Sequence, residues 1–251
     1  MSNSLRLRRL VNAVVCTTFF AITPMALAQA DRGIYCAGVA DDGGNPVLNA
    51  PYSGLRRVIT TELNADGTTK RREAVQSEAR DGKGRKFIAG ERFWTTRVGD
   101  KDVEKSEVLV RIFDPVANTD TTWSSGDKQV KVVHWPKDDG NNSGRQPNPF
   151  MSALTRNSEM EKLGTKTIEG VAADGVRLTR TVPARSDRDR PTVSVSECWY
   201  SPELKVMILE TNTDPARGTF TNQLENVKVG EPDVSKYQPP ANYKRQDVKV
   251  P

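Results

Sequence analysis

The chain has 251 residues, with 37 Lys and Arg, 32 Asp and Glu and one His, for a formal net charge of +5. Three of the cations and none of the acids fall in the first 30 residues, so the remaining 221 carry 34 basic and 32 acidic groups, a net of +2. That near balance argues against a nucleic-acid partner, and no apolar run beyond residue 30 approaches the roughly 18 residues of a membrane helix.

Arg6, Arg8 and Arg9 form a positive n-region, and residues 11–26 form an apolar h-region. Two small-x-small sites follow, Ala26-Leu27-Ala28 and Ala28-Gln29-Ala30. Residues 1–30 therefore read as a secretory signal peptide, and the protein as exported, periplasmic or secreted. Residues 31–53, rich in Gly, Asp, Asn and Pro, are expected as an irregular N-terminal arm. Beyond the signal the cysteines are Cys36 and Cys198, a candidate disulfide in an oxidising compartment, with two separate thiols as the alternative.

From residue 54 to 245 the pattern is short alternating segments bounded by turn signals. Residues 57–63 alternate and stop at Asn64-Ala65-Asp66-Gly67, a hairpin signal because Gly tolerates positive φ. Strands are predicted at 68–79, from 85, at 107–113, 120–123 and 129–134. Residues 136–149 are nearly devoid of apolar side chains and read as a flexible loop, and Phe150, Met151 and Leu154 suggest a short helix after it. Further strands are predicted at 166–171, 176–182, 192–200, 204–211 and 219–229, with a break at Ala173-Asp174-Gly175. Residues 246–251 are expected as a C-terminal tail. This spacing argues for an all-β, or β-rich α+β, antiparallel domain.

Val176 and Leu178 share one side of their strand, as do Val193, Val195 and Trp199, and as do Leu204, Val206 and Ile208. Together these eight residues make a candidate apolar face, packed as core or lined around a hydrophobic ligand. Catalytic signals are sparse. His134 stands alone, and no Gly-x-Ser-x-Gly elbow is present. The segment Asp139-x-Asn141-x-Ser143-Gly144 begins like a calcium loop but has Phe150 where a bidentate Glu is needed. No cofactor is expected. The short basic clusters Lys70-Arg71-Arg72 and Arg185, Arg188, Arg190 are interleaved with Glu73, Asp187 and Asp189, as on a solvated face.

The second half carries Leu163-Gly164-x-Lys166-x-Ile168-Glu169-Gly170-Val171, Asp174-Gly175-x-Arg177-x-Thr179, Glu197-x-Trp199-Tyr200-Ser201-x-Glu203-Leu204-Lys205, Asp214-Pro215-x-x-Gly218 and Pro240-x-x-Tyr243. With Asp66-Gly67-Thr68 and Arg80-Asp81-x-x-Gly84-Arg85, this order resembles a family of uncharacterised exported bacterial proteins of the acidobacteria type. That family is similar in pattern to the periplasmic lipoprotein carriers of the LolA/LolB type. The resemblance implies a single strongly curved antiparallel sheet, a half-barrel with one or two short helices and an apolar concave face. The first functional reading is a non-enzymatic binding protein that holds a lipid, a lipoprotein acyl chain or another hydrophobic ligand on that face. The alternatives are a structural or interaction protein of the cell envelope, with an envelope protein as partner and a solid core, and a hydrolase whose acidic residues the sequence does not locate.

Overall fold

A computed structural model describes residues 47–64, 66–136, 158–182 and 190–250. The signal segment, most of the N-terminal arm including Cys36, residues 137–157 with the expected short helix and the calcium-like loop, and residues 183–189 lie outside the described residues.

Among the described residues twelve strands form one open sheet. They are β1 (Tyr52–Leu63), β2 (Thr69–Arg80), β3 (Lys86–Val98), β4 (Lys101–Asp114), β5 (Thr119–Ser124), β6 (Gln129–His134), β7 (Glu159–Ile168), β8 (Val171–Val182), β9 (Thr192–Ser201), β10 (Val206–Asp214), β11 (Gly218–Val229) and β12 (Lys244–Lys249). Their order across the sheet is β12-β6-β5-β4-β3-β2-β1-β11-β10-β9-β8-β7, so it is not closed into a barrel and has the form of a curved half-barrel. Every neighbouring pair is antiparallel except β12 and β6, which run parallel. The chain makes two meanders, β1 to β6 and β7 to β11, joined by the β1–β11 pairing. Among the described residues the only helical element is a 3-10 turn at Val234–Tyr237.

The Asp66-Gly67 hairpin forms as its sequence predicts, with Gly67 at φ 82° and the Asp66 carboxylate accepting from the Thr68 amide at 2.9 Å. The break expected at Ala173-Asp174-Gly175 does not occur. These residues lie inside β8, and the turn is instead at Glu169-Gly170, both left-handed at φ 51° and 77°. Two consecutive positive φ values define the tight hairpin turn that matches strand twist. Gly175 serves a different need: a Cβ there would stand 2.4 Å from the Trp199 ring. Likewise 246–251 is not simply a tail, since β12 occupies Lys244–Lys249 and pairs with β6 across the expected boundary.

Two apolar clusters anchor the sheet. The first gathers Tyr52, Val171, Ala173, Trp199, Leu204, Ile208 and Leu224. The second is a cross-strand ladder, Ala79–Phe87–Ile112, capped by Tyr237 from the 3-10 turn. The Tyr237 and Phe87 rings meet edge-on, 6.2 Å apart. Val130 and Val132 extend the same face onto β6 through their partners Trp123 and Thr121.

Candidate binding face

Cross-strand partners in register lie on the same face, so the pairing sorts the side chains into two sets. One set, the Arg56 face, includes the row Leu224–Arg56–Gln76–Gly90–Leu109–Ser124. It also includes the row Leu178–Ser196–Asn212–Phe220 across β8 to β11. The other set, the Phe87 face, carries the second apolar cluster.

The register also shows where the eight expected ligand residues go. Val176 and Leu178 stand opposite Cys198 and Ser196, on the Arg56 face. Val193 and Val195 stand opposite Thr181 and Thr179, on the reverse side, and Val193 is 48% exposed. Trp199, Leu204 and Ile208 belong to the first cluster, and Val206 packs against it. Parity within each strand follows the sequence, but the eight do not line one continuous face. A bulge between Met207 and Leu209 adds a residue to β10 and changes which side chains meet.

What the sequence did not signal is how much charge is buried on the Arg56 face. Glu78 is buried and accepts from the Tyr52 hydroxyl at 2.5 Å, from Arg56 Nε at 3.0 Å and from Arg56 Nη2 at 2.9 Å. Burial alone raises its carboxyl, but Arg56, Lys86 and these hydrogen bonds outweigh it and hold Glu78 far below the usual carboxylate range. Burial, then the Glu78 charge, pushes the Tyr52 phenol well up. Arg56 also reaches across β11 to donate to the Met207 carbonyl at 2.9 Å, at the bulge in β10. Arg80 donates to the carbonyls of Ala50, Leu204 and Lys205. These two guanidiniums pin the β9–β10 turn against β1 and β2.

Further along, Arg92 pairs with Glu107, and Arg111 pairs with Asp120 through Nε at 2.9 Å. Both acids are buried while their guanidiniums are part-exposed. Across β8 to β11 the buried polar groups include neutral ones: the Asn212 amide nitrogen donates to Ser196 Oγ at 2.8 Å and to Ser194 Oγ at 3.3 Å.

His134 lies at the C-terminal end of β6, with Nε2 2.7 Å from the Asp247 carboxylate of β12. Asp247 also accepts from Arg245, and both partners hold it well below the usual carboxylate range. Among the described residues no group of three or more His, Cys, Asp or Glu is placed to hold a metal ion, and no helix is long and apolar enough to cross a membrane.

No family model matches the chain, and no curated protein matches it. Some solved structures superpose on it weakly. An uncharacterised conserved protein of Thermus thermophilus is 7% identical, covers 88% of this chain and 99% of its own, and superposes with a TM-score of 0.39. LprF of Mycobacterium bovis is 14% identical over 86% of this chain and 98% of its own, with a TM-score of 0.34. A LolA-superfamily protein of Nitrosomonas europaea is 6% identical over 81% of this chain and 97% of its own, with a TM-score of 0.30.

Proposed function

We propose that the protein is exported to the periplasm or cell surface and acts there as a non-enzymatic binding protein. Its ligand is hydrophobic or lipidic and lies against the Arg56 face of the sheet beside β8 to β11. The row Leu178–Ser196–Asn212–Phe220 carries this reading. It sets a neutral hydroxyl and amide pair between two apolar side chains, all four buried on one face. An amphiphile needs this chemistry, since acyl carbons lie on apolar groups and a carbonyl or headgroup oxygen meets a neutral donor. Val176 and Leu178 are the contacts we assign to the apolar part. The buried acids Glu78, Glu107 and Asp120 are each closed by an arginine, which suits a scaffold better than acid-base catalysis.

Cys198 is fully buried on the same face, beside Val176 and Glu210 in register. We take its partner to be Cys36, which would tie the N-terminal arm across the binding face. Alkylation with and without reduction reads this by mass, and two labelled thiols in native protein would rule it out.

Native mass spectrometry of gently purified periplasmic protein, followed by solvent extraction, tests the ligand. The expected result is a stoichiometric adduct that is lost on denaturation and weakened by Leu178→Asp. A clean mass that stays unchanged after incubation with lipid overturns the reading. It would favour the second reading, an envelope interaction protein with a solid core. That alternative draws support from the first cluster, where Trp199, Leu204, Val206 and Ile208 pack on one another. Self-association in analytical ultracentrifugation would mark it.

A further inference from the structure

The sheet splits between β2 and β3. These strands pair only from Gln76 to Arg80 with Lys86 to Gly90. Beyond that point, among the described residues, β2 runs on through 69–75 paired to β1 alone, and β3 runs on through 91–98 paired to β4 alone. The split begins where Gly90 faces Gln76, whose Cβ would stand 3.0 Å from a Cβ at Gly90. The result is a fork with two strand edges facing each other. Side chains on both arms are largely exposed, including Val75 at 39%, Phe93 at 60% and Trp94 at 38%. Natural proteins ordinarily blunt or cover such edges, because an unpaired strand is a template for another strand.

The two faces of the fork differ in charge. On the Arg56 face the register places Lys70, Arg72 and Ala74 from β2 and Arg92, Trp94, Thr96 and Val98 from β3, so three cations and no acid. On the flanking strands of this face Lys105 and Lys101 of β4 stand opposite Trp94 and Val98, and Glu107 of β4 and Glu62 of β1 stand opposite Arg92 and Lys70, so the cations remain in excess. Arg72 reaches Glu62 at 3.3 Å from a half-exposed position, and Arg92 is paired with Glu107. On the Phe87 face the fork shows Arg71, Glu73 and Val75 from β2 and Glu91, Phe93, Thr95 and Arg97 from β3, a balanced set around two apolar side chains.

The geometry points to the fork as a docking site for an extended acidic polypeptide segment that adds as a strand along the open edge of β3. A strand alternates its side chains, so the segment presents acids toward Lys70, Arg72 and the β4 lysines, and apolar residues toward Val75 and Phe93. Main-chain pairing supplies affinity, and the charged face supplies selectivity for acids at every second position. This assigns a role to Lys70 and Arg72, and it does not depend on the proposed lipid site.

The test uses the whole exported chain and three ten-residue capped peptides: alternating Glu-Val, alternating Lys-Val, and a block peptide of five Glu then five Val. Titration is followed by peptide anisotropy, with amide hydrogen exchange on the complex. The alternating acidic peptide should bind, protect amides within residues 91–98, and weaken with added salt. The double variant Lys70→Glu, Arg72→Glu should lose about tenfold in affinity, since each exposed ion pair is individually small. Because these side chains are exposed, an unchanged far-ultraviolet spectrum and Tm show that the variant still folds. The inference is overturned if the alternating acidic peptide fails to bind at millimolar concentration. It is equally overturned if the lysine or block peptide binds as well, or if binding leaves the 91–98 amides unprotected. Capture by phosphatidylglycerol vesicles without peptide binding also overturns it, in favour of a lipid surface.

Discussion

The two flanks of the sheet bury opposite faces. From β8 to β11 most of the buried side chains lie on the Arg56 face, among them Leu178, Ser196, Cys198, Asn212 and Leu224. Its reverse buries Val171, Ala173 and Trp199 at the β9–β10 turn end and farther along carries solvent-side ion pairs such as Arg177 with Glu161 and Glu197. From β2 to β6 the deep apolar ladder, Ala79, Phe87, Ile112 and Val132, lies on the Phe87 face, and the ion pairs of buried acids, Arg92 with Glu107 and Arg111 with Asp120, lie on the Arg56 face. The Tyr52–Glu78–Arg56 triad sits between the two flanks, where β1 and β2 carry the sheet from one regime to the other. A twisted single sheet thus obeys the one-dry, one-wet rule locally, while the dry side changes along it.

That contrast can be broken at its hinge. Glu78→Ala strands a buried guanidinium and a tyrosine hydroxyl. It should cost about 3–5 kcal/mol, as removal of one partner from buried ion pairs does, read by urea denaturation. The same group sets a pH response. Glu78 is depressed in the folded state, so its stabilisation is complete above the unfolded value near 4.3 and is lost as pH falls toward the folded value. Denaturant midpoints for the native chain should therefore be flat in Glu78's contribution above about pH 5 and decline below it. Glu78→Gln should flatten that decline, and an unchanged acid limb would mean the triad does not govern it.

Within the β8–β11 flank, Ile208→Ala opens a fully buried site and should cost about 2–4 kcal/mol. Gly175→Val forces a side chain into the Trp199 ring and should cost about 1–3 kcal/mol, with a change in the near-ultraviolet signal of the indole. The smallest effect belongs to the wet side: Arg177→Ala should leave Tm unchanged within error. A large loss there would mean that the Arg177 stretch of this face is not solvent-facing after all.

Much of the strand pattern is legible in the sequence, because alternation and Asp-Gly turns are local signals. The Asp66-Gly67 hairpin is one example. Asp174-Gly175 carries the same dipeptide and makes no turn, because its glycine answers to a tryptophan 24 positions away in the chain. β12 escapes notice since Lys244-Arg245-Gln246-Asp247-Val248-Lys249 has one apolar residue, and its strand character comes from the β6 backbone instead of burial. The placement of Val193 and Val195 depends on cross-strand register, which parity along one strand does not reveal. The Arg56–Glu78 pair joins residues 22 apart that have nothing unusual around them locally. The fork is hidden for the same reason, since strand lengths are readable but the point where two neighbours stop pairing is not.

The β1–β11 seam has a kinetic consequence. Both meanders are built from neighbours in sequence, whereas the seam joins Arg56 to Leu224 across almost the whole described chain. Closing so long a loop is the slow entropic step in assembling a sheet. The first meander can therefore form on β1 to β6 while the second is still emerging, with the β1 edge waiting for β11 and the β6 edge waiting for β12. A chain delivered end-first across a membrane would keep both edges unpaired until its last residues arrive, so truncation near the C-terminus should trap an aggregation-prone half.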